Sequence, residues 1–238
     1  MKRHIPNLFT SLNLFSGCIA TIMAFQGDYL WVVVWVIVAA FCDFCDGFSA
    51  RLLKAYSPMG KELDSLADMV SFGVAPSVTI YAFLSENIYK ITQVPFLQEY
   101  LPYIGFLIAV FSALRLAKFN IDTRQSDSFI GLNVPADALF WVSFCYGLTY
   151  DVPSVSPTLM YIFIAAIPVF ASLMVSEIPM FSLKVKNIKF KGNEYRYFLL
   201  VFIIGMVAYI GVLGITGGIL LYIALAIIDN RNNVPQEE

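Results

Sequence analysis

Asp43, Asp46, Asp64 and Asp68 put four carboxylates at the end of, and just beyond, an apolar run from Tyr29 to Phe41, where a membrane protein should carry none. At helical spacing Asp43, Asp46, Gly47 and Ala50 fall at i, i+3, i+4 and i+7, so two carboxylates share a face with two very small residues. Asp64 and Asp68, at i and i+4, repeat the arrangement on a second helix. Carboxylates packed this closely repel one another unless a cation neutralises them, and an all-oxygen set suits a hard divalent ion, Mg²⁺ or Mn²⁺. The spacing therefore predicts a metal site, with two ions. Interfacial helix caps would account for one or two aspartates, but not for four converging with glycines and Arg51.

The elements that must hold these groups are membrane helices. Of 238 residues, 59% are hydrophobic and only 13% charged, and the mean hydropathy is positive, whereas soluble domains are about a quarter charged. Apolar stretches near the ~20 residues a spanning helix needs run roughly over 8–25, 29–49, 66–86, 101–120, 133–150, 157–176, 196–213 and 215–229. The expected fold is an all-α polytopic bundle of about eight transmembrane helices in one domain, 1–229, followed by a disordered tail, 230–238. With both termini cytoplasmic, fourteen of the fifteen Lys and Arg residues lie on the inner side and only Lys90 outside, as the positive-inside rule demands. The acidic stretch then faces the cytoplasm. Lys2-Arg3 before an apolar run imitates a signal peptide, but cleavage would remove the first span and spoil that charge bias.

A net charge of −2 and the lack of a basic, aromatic-interleaved run give no reason to expect nucleic acid. Cys18, Cys42, Cys45 and Cys145 all lie in apolar segments, so they read as packing residues rather than disulfides or a zinc site. In the first segment Asn13, Ser16 and Gly17 recur at intervals of three or four, giving one small, polar face that packs on or opens toward the acidic cleft. Ser71-Phe72-Gly73-Val74-Ala75-Pro76 is expected to break the helix ladder and kink the third span. A basic connection, Lys184 to Arg196, is expected at the headgroup surface.

Asp43-x2-Asp46-Gly47-x2-Ala50-Arg51-x8-Gly60-x3-Asp64-x3-Asp68 resembles the full signature of the CDP-alcohol phosphotransferases, an integral-membrane family with a six-helix core. The resemblance implies homodimers that use CDP-linked lipid, with the last aspartate, here Asp68, as the proposed base toward an alcohol that displaces CMP. The bare faces of Gly47 and Ala50 leave room for a flat base, which the resemblance implies is cytosine. Arg51 would pair with a diphosphate oxygen, Thr10 and Ser57 would donate hydrogen bonds, and Gly60 would let the connecting loop approach closely.

Three further stretches, Pro6-Asn7-Leu8-x-Thr10-x2-Asn13-Leu14, Asp64 to Pro76, and Ala113 to Asn120, resemble the serine-accepting branch of that family. That implies transfer of the phosphatidyl group from CDP-diacylglycerol to L-serine at the cell membrane. The serine carboxylate would seek an arginine fork, with Arg115 the leading candidate and Lys118, Asn120 and Arg124 behind it. Asn133 and Asp137 depart from the branch pattern, where a proline and a small residue are usual. Other acceptors (glycerol phosphate, inositol phosphate, a polyol) and, from another class, a divalent-cation transporter are the competing readings.

Overall fold

The computed structural model describes residues 4–121, 129–180 and 194–233. It is a helical bundle: α1 (His4–Phe25), α2 (Tyr29–Leu53), α3 (Pro58–Asp68), α4 (Ala75–Asn87), α5 (Pro95–Tyr100), α6 (Phe106–Ile121), α7 (Val134–Tyr150), α8 (Pro157–Val175), α9 (Glu194–Ile210) and α10 (Leu213–Asn233). All eight expected stretches are helical. Five helical stretches are long and apolar enough to cross a membrane, namely His4–Phe25, Tyr29–Leu53, Pro58–Lys90, Pro95–Ile121 and Pro157–Val175, and two shorter apolar helices cover Arg196–Ile210 and Leu213–Ile228. The helix α10 runs to Asn233, past the expected domain boundary at 229, while 234–238, like most of the basic connection from Lys184, lies outside the described residues.

Helix starts follow local chemistry. Asp28, Ser57, Asn133 and Ser156 each accept a backbone N–H from the first turn of α2, α3, α7 and α8 respectively, and at the last three a proline sits within the first two helical positions, where its missing N–H costs nothing. Gly27, at φ 70°, makes the tight reversal between α1 and α2.

Burial is arranged for a lipid solvent. On α1 the polar Thr10, Asn13 and Ser16 are buried with Gly17, Ala20 and Ala24, while Leu8, Leu12, Phe15 and Ile22 are exposed. The polar face expected of this helix thus points inward, as it must where the outside is hydrocarbon. Its small residues bring backbones together: a Cβ on Gly17 would lie 2.6 Å from Ser71 Cα. Deeper in the bundle, Phe140 stacks on Phe170 at 4.0 Å and Trp141 meets Phe163 edge-on at 5.2 Å. A buried hydroxyl pair, Ser143 and Thr216 at 2.7 Å, ties α7 to α10.

The helix ladder does not break before Pro76. Between α3 and α4, Met69–Val74 widens into a π-helix, and the Ala75 N–H reaches back five residues to Val70 O. One added residue per turn accommodates the proline, which has no N–H to donate. This turn lies immediately after Asp68 and packs against α1, α6 and α7.

Candidate active site

The carboxylates come from two helices. Asp43 and Asp46 lie on the last turns of α2 and Asp64 and Asp68 on the last turns of α3, which Ser57-Pro58 starts and which packs on α1. Carboxylate oxygens of Asp43, Asp64 and Asp68 lie within 4.8 Å of one another. Asp46 falls outside this set: its Oδ2 accepts from Thr10 Oγ1 at 2.8 Å, and Thr10 Oγ1 also lies 3.1 Å from the Pro6 carbonyl. Asp68 Oδ1 accepts from Asn13 Nδ2 at 2.9 Å. Asp64 Oδ1 is buried and finds no hydrogen-bond partner among the described residues. A buried oxygen left this way is costly unless something binds it, so the donor set fits a hard cation.

Beside the acids opens a cavity of about 520 Å³, lined by Thr10, Asp46, Gly47, Ala50, Ser57, Gly60 and Asp64, together with Pro6, Asn7, Ala55, Tyr56, Pro58 and Lys61. Its wall is mostly small side chains, with Asp46 and Asp64 the two carboxylates among them. Arg51 sits next to it: a Cβ added to Gly47 would be 3.6 Å from Arg51 Nη1. Ser57 Oγ accepts the Gly60 N–H at 3.0 Å, which occupies an acceptor site and leaves the hydroxyl hydrogen to donate. A Cβ on Gly60 would come within 2.9 Å of Ser57 Oγ and 3.3 Å of Asn7 Oδ1, so glycine lets both side chains approach this turn without moving.

The cationic candidates on α6 separate. Arg115 is 5% exposed, its Nε donates to Leu132 O at 2.7 Å, and its buried Nη2 has no partner among the described residues. Lys118 is instead paired with Glu177. Asn120 bridges α6 to α3, donating from Nδ2 to Ser65 Oγ at 2.8 Å and accepting from Lys61 Nζ at its carbonyl, also at 2.8 Å. Arg124 lies outside the described residues. Asn133 serves as the cap of α7, its Oδ1 accepting from Ala136 N at 3.0 Å. Asp137 is fully buried, and neither carboxylate oxygen has a partner among the described residues. All four cysteines are free thiols, with Cys42 and Cys145 buried.

Sequence reasoning put the polar face of α1, Asn7 and Thr10 included, toward the acidic cleft, and both line the cavity; it missed Tyr56 and Lys61 as lining residues and the Asn13–Asp68 bond. The three- and four-residue recurrence of polar groups on α1 was the available signal for Asn13. No spacing signals Lys61, whose place depends on how α3 meets α6.

Comparison with known proteins agrees with this geometry. The family description CDP-alcohol phosphatidyltransferase matches residues 3–170. The chain is similar to the CDP-diacylglycerol–serine O-phosphatidyltransferase of Helicobacter pylori, 34% identical over 201 residues that cover 83% of this chain and 78% of the relative. It is similar to the protein of that name from Bacillus subtilis, at 38% over 136 residues, covering 56% and 70% respectively. It is also similar to an archaetidylserine synthase of Methanothermobacter thermautotrophicus, at 32% over 142 residues, covering 59% and 57%. With 168 consecutive residues matched, acidic stretch and cleft included, the chain belongs to the CDP-alcohol phosphatidyltransferase family.

Proposed function

We propose that this protein is a phosphatidylserine synthase, transferring the phosphatidyl group of CDP-diacylglycerol to the hydroxyl of L-serine and releasing CMP. The observation that carries this reading is the carboxylate set Asp43, Asp64 and Asp68, whose Asp64 also lines a cavity walled by Gly47, Ala50 and Gly60. The names of the similar proteins support serine as the acceptor. Two divalent ions, Mg²⁺ or Mn²⁺, held by Asp43, Asp46, Asp64 and Asp68 would supply charge stabilisation along the diphosphate.

The chain's own residues do the rest. Cytosine lies against the bare face at Gly47 and Ala50, Arg51 pairs with a diphosphate oxygen, and Thr10 and Ser57 direct their hydroxyls to the nucleotide. Thr10 donates its one hydroxyl hydrogen to Asp46 and so keeps that carboxylate oriented, which leaves its oxygen lone pair to meet the nucleotide. Arg115 holds the serine carboxylate, whereas Lys118, engaged by Glu177, and Asn120, engaged by Ser65 and Lys61, serve the acceptor pocket as its frame. The serine hydroxyl oxygen attacks the β-phosphorus. A new P–O bond forms, the bond to the bridging oxygen breaks with its electron pair leaving on CMP, and the hydroxyl proton passes to Asp68.

The proposed setting is a multi-pass protein of the cell membrane, eight helices spanning with both termini and the cleft at the cytoplasmic face, working as a homodimer. The test is CMP release from purified protein given CDP-diacylglycerol, Mg²⁺ or Mn²⁺ and one alcohol at a time. Release requires L-serine and falls at least about a hundredfold in Asp68→Asn, the range a positioned base contributes. Release with glycerol phosphate, inositol phosphate or a polyol instead of serine would move the acceptor assignment. Divalent flux in proteoliposomes without CDP-lipid would move the class.

A further inference from the structure

Two buried polar atoms near Asp68 have no hydrogen-bond partner among the described residues, and only the one on Arg115 has a part in the proposed reaction. Asn13 is fully buried. Its Nδ2 donates to Asp68 Oδ1 and its backbone carbonyl accepts from Ser71 Oγ at 2.9 Å, but its Oδ1 has no partner among the described residues. On the other side, Arg115 Nη2 is equally unmatched.

The packing brings both to the level of Asp68. The π-helix that follows Asp68 is gripped between α1, where a Cβ on Gly17 would touch Ser71, and α6, where a Cβ on Gly73 would lie 3.2 Å from Ser112 Cβ. Asn13 lies one turn before Gly17 and Arg115 one turn after Ser112. Because α1 and α6 run in opposite senses through the bundle, both steps lead toward the Asp68 end. Asp68 is in turn within electrostatic reach of Arg115.

An orphaned acceptor and an orphaned donor near a carboxylate are expensive as packing, since a buried unmatched group has given up its hydrogen bonds to water for nothing and a leucine in either place would not. They are matched by a small zwitterion carrying an ammonium, a carboxylate and a hydroxyl. We infer that Asn13 reads the acceptor's ammonium group through Oδ1, so that Asn13, Arg115 and Asp68 hold a β-hydroxy-α-amino acid at three points. This rests on the proposed function and extends it: Arg115 alone would accept any hydroxy acid, and Asn13 makes the amine obligatory. It also gives Asn13 two roles on one side chain, with Nδ2 orienting Asp68 and Oδ1 selecting the acceptor.

The test compares acceptors within one protein, so loss of folded enzyme cancels. CMP release is measured with full-length protein, CDP-diacylglycerol and either L-serine or 3-hydroxypropionate, which lacks the amine. Wild type favours serine by at least about a hundredfold in kcat/KM, since a site built to hydrogen-bond a substrate N–H rejects the analogue without it. In Asn13→Ala that preference falls to within about tenfold, as expected for one lost hydrogen bond to a charged group. Asn13→Asp, which keeps an acceptor oxygen but loses the donor to Asp68, turns over more slowly with both acceptors and retains the preference. The inference is overturned if wild type uses 3-hydroxypropionate as well as serine. It is equally overturned if Asn13→Ala slows both acceptors alike, or if that variant shifts the divalent-ion requirement with the preference intact, which would make Oδ1 an ion ligand. Should wild type release no CMP with serine at all, the proposed function fails first, and this inference with it.

Discussion

Asp46 and Asp68 are held by α1 through different chemistry, and the difference assigns them different work. Thr10 has one hydroxyl hydrogen and two acceptors within reach, Asp46 Oδ2 and the Pro6 carbonyl, so that hydrogen stays matched whichever of the two it faces. Thr10→Val keeps the shape and removes the donor. Hydrogen bonds to charged groups contribute about 1.5–3 kcal/mol, so kcat/KM for CDP-diacylglycerol should fall roughly tenfold to a hundredfold, with the KM for serine little changed; steady-state kinetics with each substrate varied in turn would show it. Arg115 predicts the reverse split. Its Nε is fixed on Leu132 O, which aims the rest of the fork, and Arg115→Ala should raise the KM for serine far more than that for the CDP-lipid. Arg115→Lys should restore little, because an ammonium cannot bond the Leu132 carbonyl and present a planar donor pair to a carboxylate together. Equal effects on both substrates would remove Arg115 from the acceptor site.

The elements that hold these residues depend on a few close approaches. At Gly17 the backbone of α1 comes against the π-helix at Ser71, and Gly17→Val would force the two apart; overpacking of this kind costs about 1–3 kcal/mol. Since Asn13 rides on α1 one turn away, the variant should lose activity as well as thermal stability, and a loss of stability with full activity would show that the cleft does not need this contact. Much of this framework is legible in the sequence. Helical period alone puts Asp43 beside Asp46 and Asp64 beside Asp68, and it puts Thr10, Asn13 and Gly17 on one stripe of α1. What it does not encode is which helix that stripe meets. The bond from Asn13 to Asp68 spans 55 residues and that from Lys61 to Asn120 spans 59, and such pairings depend on crossing geometry rather than on spacing. Pro76 shows the same limit locally: the sequence marks the strain, and only the register of the Ala75 N–H shows it absorbed as a π-turn rather than a break.

For the whole molecule, the question is which way it sits in the membrane. The cavity gathers the start of α1, the end of α2 and the start of α3 at one end of the bundle, with Pro6, Ala50 and Ser57 among its lining. At the other end, Glu86 accepts from the Tyr29 hydroxyl at 3.0 Å and Lys90 donates to Asn87. Among the described basic residues Arg51, Lys54, Lys61, Arg115 and Lys118 fall toward the cleft end of the bundle and Lys90 toward the other, and the proposed cytoplasmic orientation of the cleft rests on that bias. Two exposed positions report the sides without touching the site: Met59 on the first turn of α3 and Val94 before α5 are 71% and 51% exposed. With the native cysteines replaced, Val94→Cys should react with a membrane-impermeant maleimide in intact cells, and Met59→Cys only after the membrane is opened. The opposite pattern would invert the protein and put the cleft on the side where nucleotide-activated lipid is not made. Labelling of both positions in intact cells would mean an even number of spans between them, which the continuous helix from Pro58 through Lys90 cannot reconcile with an intact bilayer unless that helix does not cross it.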